Sequence, residues 1–162
     1  MKETGNLIIN TPTDREIEIV RVFDAPRALV YEAYTKPELI KRWLGADFAG
    51  WSWAVCEVDL RVGGSYRWMW RNVNGQEMGI RGVYREIVPA TRIVYTEVFD
   101  EAWYEGEAVD TVEFVERNGK TTLTTTILYV SKEARDGVLK SPAFEGMAHS
   151  FDKLAALLAT SA

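Results

Sequence analysis

The chain of 162 residues carries one histidine, His149, and one cysteine, Cys56. Nucleophilic systems of the Ser-His-Asp or Cys-His kind need a histidine in a cleft. His149 falls opposite the apolar stripe of its helix, so it reads as solvated surface and no such system is expected. A zinc centre of histidine and cysteine ligands is equally poorly supplied. A lone cysteine excludes an internal disulfide and fits a reducing compartment, where Cys56 reads as a small buried apolar residue. None of the twelve glycines falls in a phosphate-loop or dinucleotide pattern. No apolar run has the length of a membrane span, and Met1 to Asn10 lacks the plan of a secretory signal. The net charge of −5 lacks the basic excess of nucleic-acid binders. These absences predict a cytoplasmic protein with no metal, no cofactor, no nucleic-acid partner and no membrane span.

Aromatic residues are what the chain has in excess: six Trp, seven Tyr and six Phe. Its apolar periodicity is also well marked. Between Pro142 and Ala159, Phe144, Met147, Phe151, Leu154 and Leu158 recur in steps of three and four, the stripe of a helix laid along an apolar surface. Glu145, Asp152 and Lys153 lie away from it and are expected to face water. Ser141-Pro142 reads as its start.

Upstream, Glu16–Phe23 alternates as a strand, which places Ile17, Ile19 and Arg21 on the Phe23 face. Short helices follow over Pro26–Tyr34 and Glu38–Trp43, the second stopped at Gly45. Period-two strands are then predicted over Trp53–Arg61, Ser65–Asn72, Met78–Val88, Arg92–Phe99, Val109–Glu116 and Lys120–Val130. Their turns are Val62-Gly63-Gly64, Asn74-Gly75, Pro89-Ala90-Thr91 and Asn118-Gly119. Asp100–Glu107 reads as a solvated acidic loop whose Trp103 and Tyr104 are placed to cover a pocket mouth or a partner surface. Ser131 caps a further turn or two of helix. With no composition shift or repeat, one domain over 16–160 is expected, after a flexible segment over 1–15. The class is α+β: a seven-stranded curved antiparallel sheet around a long C-terminal helix, with two short helices after the first strand.

Several stretches resemble the START-like, or Bet v 1-like (SRPBCC), superfamily, and within it the activator of Hsp90 ATPase homologue family. They are Arg21-Val-Phe-Asp-Ala-Pro-Arg27, Val58-Asp-Leu-Arg-Val-Gly-Gly64, Gly82-Val-Tyr-Arg-Glu-Ile-Val-Pro89, Arg92-Ile-Val-Tyr-Thr96 and Thr111-Val-Glu-Phe114. The likeness runs from about Ile17 to Leu158 and implies the helix-grip fold, with a cavity between sheet and helix. Family members often carry a second tryptophan where this chain has Leu44, and Gly-Trp where it has Ser150-Phe151. Both positions are expected to border the cavity, so ligand and pocket size do not carry over.

The expected lining follows the strand alternation. Tyr66, Trp68 and Trp70 share one face of a strand, joined by Trp43, Trp53, Tyr84 and Tyr95, with Met147 and Phe151 opposite on the last helix. Arg21 points inward and needs a carboxylate. Glu97, on the Tyr95 face, and Asp59 or Glu57 are the candidates. A structural ion pair and a docking point for an acidic head group are both open. Asp59 and Arg61 are expected to hold the Gly63-Gly64 turn.

The reading that follows is a binding module for a small apolar or amphipathic molecule, monomeric or homodimeric, with no catalytic residue assigned. The alternatives are a co-chaperone-like protein acting on an Hsp90-type ATPase, and an enzyme resembling polyketide cyclases or aromatases.

Overall fold

The computed structural model describes residues 2–4, 6–45 and 50–160. Its strands are β1 (Lys2–Thr4), β2 (Leu7–Asn10), β3 (Glu16–Phe23), β4 (Trp51–Val58), β5 (Ser65–Asn72), β6 (Glu77–Val88), β7 (Arg92–Phe99), β8 (Ala108–Arg117) and β9 (Lys120–Leu128). Helices α1 (Arg27–Thr35) and α2 (Pro37–Ile40) follow β3, and α3 (Lys132–Lys140) and α4 (Ala143–Ala159) close the chain. All described strands join one antiparallel sheet in the order β1-β2-β3-β9-β8-β7-β6-β5-β4. The class is α+β, as expected.

The sheet has nine strands rather than seven. The first fifteen residues, expected as a flexible segment, hold the two additional ones. β2 pairs with β3, Ile9 opposite Ile19, and puts Leu7 and Ile9 into the core. An apolar run of three residues is too short to show period two, but two inward side chains are enough to seat it.

The chain crosses the sheet once. β3 lies beside β9, while β4 begins the meander at the opposite edge, and α1 and α2 carry the chain between them. Pro37 opens α2 at its first position, and Trp43 just beyond anchors the corner by donating its indole N–H to the Ala33 carbonyl at 2.9 Å. The predicted turns are present. Gly63 (φ 85°) and Gly75 (φ 80°) take the left-handed backbone that two of them need, and Asn118 and Gly119 (φ 54° and 77°) form the pair that closes β8 on β9. β4 begins two residues earlier than expected and ends three earlier. Asp59, Leu60 and Arg61 belong to the turn instead, where Arg61 donates to Asp59 at 2.9 Å.

Ser131 caps α3 as expected, its hydroxyl accepting from the Ala134 N–H at 3.1 Å. The helix is nine residues long, more than the turn or two foreseen. Arg135, almost fully buried, explains the extension. Its guanidinium donates to the carbonyls of Thr13 and Glu16 and so ties α3 to the start of β3.

α4 spans seventeen residues, with Phe144, Phe151, Leu154 and Leu158 buried as predicted. Leu157, Ala148 and Ser150 are also buried, whereas Met147 is half-buried. The buried face is broader than the stripe. Ser141 lies just outside as its hydroxyl accepts from the Ala143 N–H, and Pro142 rather than Ser141 is the capping position. Phe144, Phe151, Leu154 and Leu158 share one core with Ile17, Ile19 and Phe23 of β3, Val112 and Phe114 of β8, and Leu123 of β9. Phe151 meets Phe23 edge-on at 5.6 Å and lies on Trp43 at 5.9 Å.

Candidate functional site

Three adjacent strands bring polar and aromatic side chains onto one stretch of sheet. On β8 the alternation Ala108, Asp110, Val112, Phe114 is buried throughout, so a carboxyl occupies a core position. Register sets Tyr95 of β7 directly opposite Asp110, and Glu97 opposite Ala108. The two carboxyls hydrogen-bond each other, and the Tyr95 side chain also bonds Asp110. Tyr104, from the loop after β7, donates its hydroxyl to Glu97 Oε1 at 2.9 Å.

Burial raises both carboxyls above the usual range, and the neighbouring Glu97 charge pushes Asp110 further, well above it. Glu97 is raised less, because the bonds from Asp110 and Tyr104 favour its ionised form. The two carboxyls titrate as a pair, with Asp110 the more strongly raised of the two. Tyr66, Tyr95, Tyr104 and Tyr129 are all pushed up by burial first, with Asp110 adding to each shift. They remain neutral phenols.

The surrounding rings form a connected group. Tyr66 lies 4.5 Å from Trp68 and 5.5 Å from Tyr95, and Tyr95 stands at 86° to the first and 73° to the second. Tyr104 packs edge-on against Tyr129 at 5.3 Å. The ladder between β6 and β7 gives way at this point. Arg81 pairs with Val98 and Tyr84 with Tyr95, while between them the Val83 N–H donates to Thr96 Oγ1 and the Tyr66 hydroxyl donates to the Thr96 carbonyl. A Cβ on Gly82 would stand 1.8 Å from that carbonyl oxygen, so only glycine permits the approach.

Three buried polar atoms have no hydrogen-bond partner among the described residues: Asp110 Oδ1, Trp68 Nε1 and Trp70 Nε1. Native structures leave few such atoms unpaired, because each costs about 1–3 kcal/mol.

Arg21 is inward and buried, as expected, but neither Glu97 nor Asp59 or Glu57 meets it. Its guanidinium pairs with Asp152 of α4 at 2.9 Å and lies over the Phe23 ring. Asp152 is exposed on its outer side and reaches back to the sheet, which the helix phase alone does not disclose. This corrects the partner assigned to Arg21.

The other aromatic candidates divide. Tyr66, Trp68, Tyr84 and Tyr95 cluster near the carboxyl pair, Trp53 lies against Trp70 at 4.5 Å with the rings tilted by 45°, and Trp43 and Phe151 belong to the packing beneath α4. Asp110 and Tyr129 were not singled out from the sequence, and Tyr104 only as a residue placed to cover a pocket mouth or a partner surface. Continuing the inward alternation back from Phe114 and Val112 reaches Asp110, a usable signal. Tyr104 follows no period.

The loop around Tyr104 is less free than an acidic solvated segment would be. Asp100 accepts from both Arg67 and Arg81, and their charges hold its carboxyl below the usual range. Burial pushes the Cys56 thiol up to about 11, which leaves it unreactive at neutral pH. Two surface clefts, of about 360 and 440 Å³, lie beside Leu29, Leu39 and Leu157 and beside Arg27, Thr91 and Phe114, and include none of these aromatic candidates.

The fold and these motifs have counterparts. The model of the family described as Activator of Hsp90 ATPase homolog 1-like protein matches residues 24–159. The chain belongs to that family. It stands within the START-like, Bet v 1-like (SRPBCC) superfamily, as the motifs around Arg21 and Gly63-Gly64 suggested. A Rhodobacter sphaeroides protein of known crystal structure is 28% identical over 96% of this chain and 99% of its own, with a TM-score of 0.89. A Chromobacterium violaceum protein is 29% identical over 90% of this chain and 98% of its own, with a TM-score of 0.74. One from Nitrosomonas europaea, 22% identical with a TM-score of 0.80, shares the fold. No curated protein shows a match to this sequence. No described helix is long and apolar enough to cross a membrane.

Proposed function

We propose that the protein is a helix-grip binding module whose sheet curves around α4 and holds a small amphipathic molecule against the Tyr66, Trp68 and Tyr95 rings. The carrying observation is the ring group beside Glu97: Tyr66, Trp68 and Tyr95 are in mutual contact, and Tyr95 and Glu97, on one face of β7, are both half-buried. Aromatic surface with a few convergent polar groups is the usual lining of a small-molecule site. The unpaired Trp68 N–H supports the same reading, since a bound molecule can satisfy it. Of the residues proposed as lining, Tyr66, Trp68, Tyr84, Tyr95 and Glu97 stay together in this reading, and Met147 offers a half-buried thioether from α4. Arg21 is a structural tie instead.

A panel of aromatic and long-chain alcohols, amines and acids tests it. At least one class should quench tryptophan fluorescence saturably and raise the melting temperature. Native mass spectrometry of freshly purified protein should find a co-purified small molecule. A panel that leaves both readouts unchanged overturns the module. The family also supports a co-chaperone-like role. Stimulation of an Hsp90-type ATPase by this chain would favour that reading.

A further inference from the structure

Resting on that reading, we propose that the loop Asp100–Glu107 is a strap that closes the ligand space, and that the Tyr104–Glu97 hydrogen bond is its latch. The inner face of the sheet loses its cover towards this loop. Along the inward row of β7, Ile93 is 2% exposed, whereas Tyr95, Glu97 and Phe99, nearer the loop, are half-buried. Register places Trp68, Ile80 and Phe99 in one row across β5, β6 and β7, and all three are half-buried. The loop comes over this thinly covered end. Tyr104 donates to Glu97 at 2.9 Å and stands edge-on to Tyr129 at 5.3 Å and to Phe99 at 5.7 Å.

The ends of the loop are fastened separately from its middle. Asp100 accepts from Arg67 and Arg81, which lie opposite each other on β5 and β6, and its N–H donates to the Gly79 carbonyl at 2.9 Å. A Cβ on Gly79 would stand 2.2 Å from that carboxylate, so glycine lets the anchor seat. Arg67 lies between Tyr66 and Trp68 on β5, and strand alternation therefore turns it to the outer face. At the other end Glu107 meets Arg85 at 3.2 Å, and Gly106 before it takes φ 78°. The loop thus runs from an anchor on the outer face over the rim of the sheet to Glu97 on the inner one. Among the described residues, four hydrogen bonds hold Asp100, against the single latch for residues 101–106. The middle is therefore the part that opens first. Trp103 packs on Phe99 and Tyr104 but is already 46% exposed, so swinging it outward uncovers little further apolar surface.

The test follows N-phenyl-1-naphthylamine, a neutral dye that fluoresces on leaving water, by stopped-flow mixing with the full chain. Tyr104→Phe removes the latch and keeps the ring. It should raise the association and dissociation rates together, by about threefold to tenfold, the factor that one net hydrogen bond gives. The equilibrium affinity should shift less than either rate. Hydrogen exchange read by mass spectrometry adds a measure that needs no ligand. In the variant, the amides of 101–105 should exchange faster by a similar factor, while β7 and β8 keep their wild-type rates. An association rate that is unchanged or slower makes Tyr104 an ordinary contact, which overturns the strap and leaves the module standing. Exchange unchanged in 101–105, or accelerated across β7 and β8 as well, overturns it too. Dye that binds neither protein overturns the strap as a gate, and the panel of alcohols, amines and acids then decides the module separately.

Discussion

Asp110 concentrates the chemistry of the site in one side chain. An acid whose folded pKa lies above its unfolded value binds more protons when folded. Its stabilising contribution is complete below the ordinary carboxylate range, about pH 4, and is lost as pH rises through the folded value. Asp110 and Glu97 are both raised, so wild-type stability should decline above that range. Thermal melts across pH should show Asp110→Asn losing most of this decline, with the variant overtaking the wild type at alkaline pH. Parallel curves would mean that the pair is not the proton reservoir described. Gly45 gives a second prediction at this scale. Its φ is +91°, and an added Cβ would come within 2.1 Å of the Trp70 ring. Gly45→Ala should cost on the order of 1–3 kcal/mol by urea denaturation, from left-handed strain and overpacking together.

Among the elements, α4 dominates. Leu154 is fully buried at its middle, so Leu154→Ala should cost about 2–5 kcal/mol. Arg21→Met is expected to behave differently. Its partner Asp152 is exposed and returns to water when the pair is broken, so the loss should stay below about 1 kcal/mol in the same denaturation experiment. The elements were also the level at which the sequence was most legible. Alternation between dipeptides such as Asn74-Gly75 and Asn118-Gly119 located six of the strands, because period two and left-handed turns leave local marks. Glu97 could be read as inward because it shares a face with Tyr95. The Arg21–Asp152 pair could not, since it joins residues 131 positions apart through a packing angle that no local pattern encodes. Asp110 was hidden by its setting, the one buried acid of three in a strand otherwise read for its apolar residues.

For the whole molecule, α4 supplies one wall of the core and the sheet the other, so a chain ending at Ser141 should not fold. Its product should lack a cooperative thermal transition and native near-ultraviolet dichroism. The two borders of the sheet are finished differently. The pairing of β4 with β5 slips between Trp53 and Val55, an irregularity that discourages a neighbour from adding on. At the far border the hairpin of β1 and β2 covers β3, whose Ile17 and Ile19 would otherwise sit beside a row of free amides and carbonyls. The hairpin thus replaces an open border of eight residues with one of three, the kind of short edge that resists pairing with another chain. Deleting the first ten residues should convert a well-behaved solution into one whose light scattering grows with concentration, and a fusion tag placed hard against Lys2 invites the same fate.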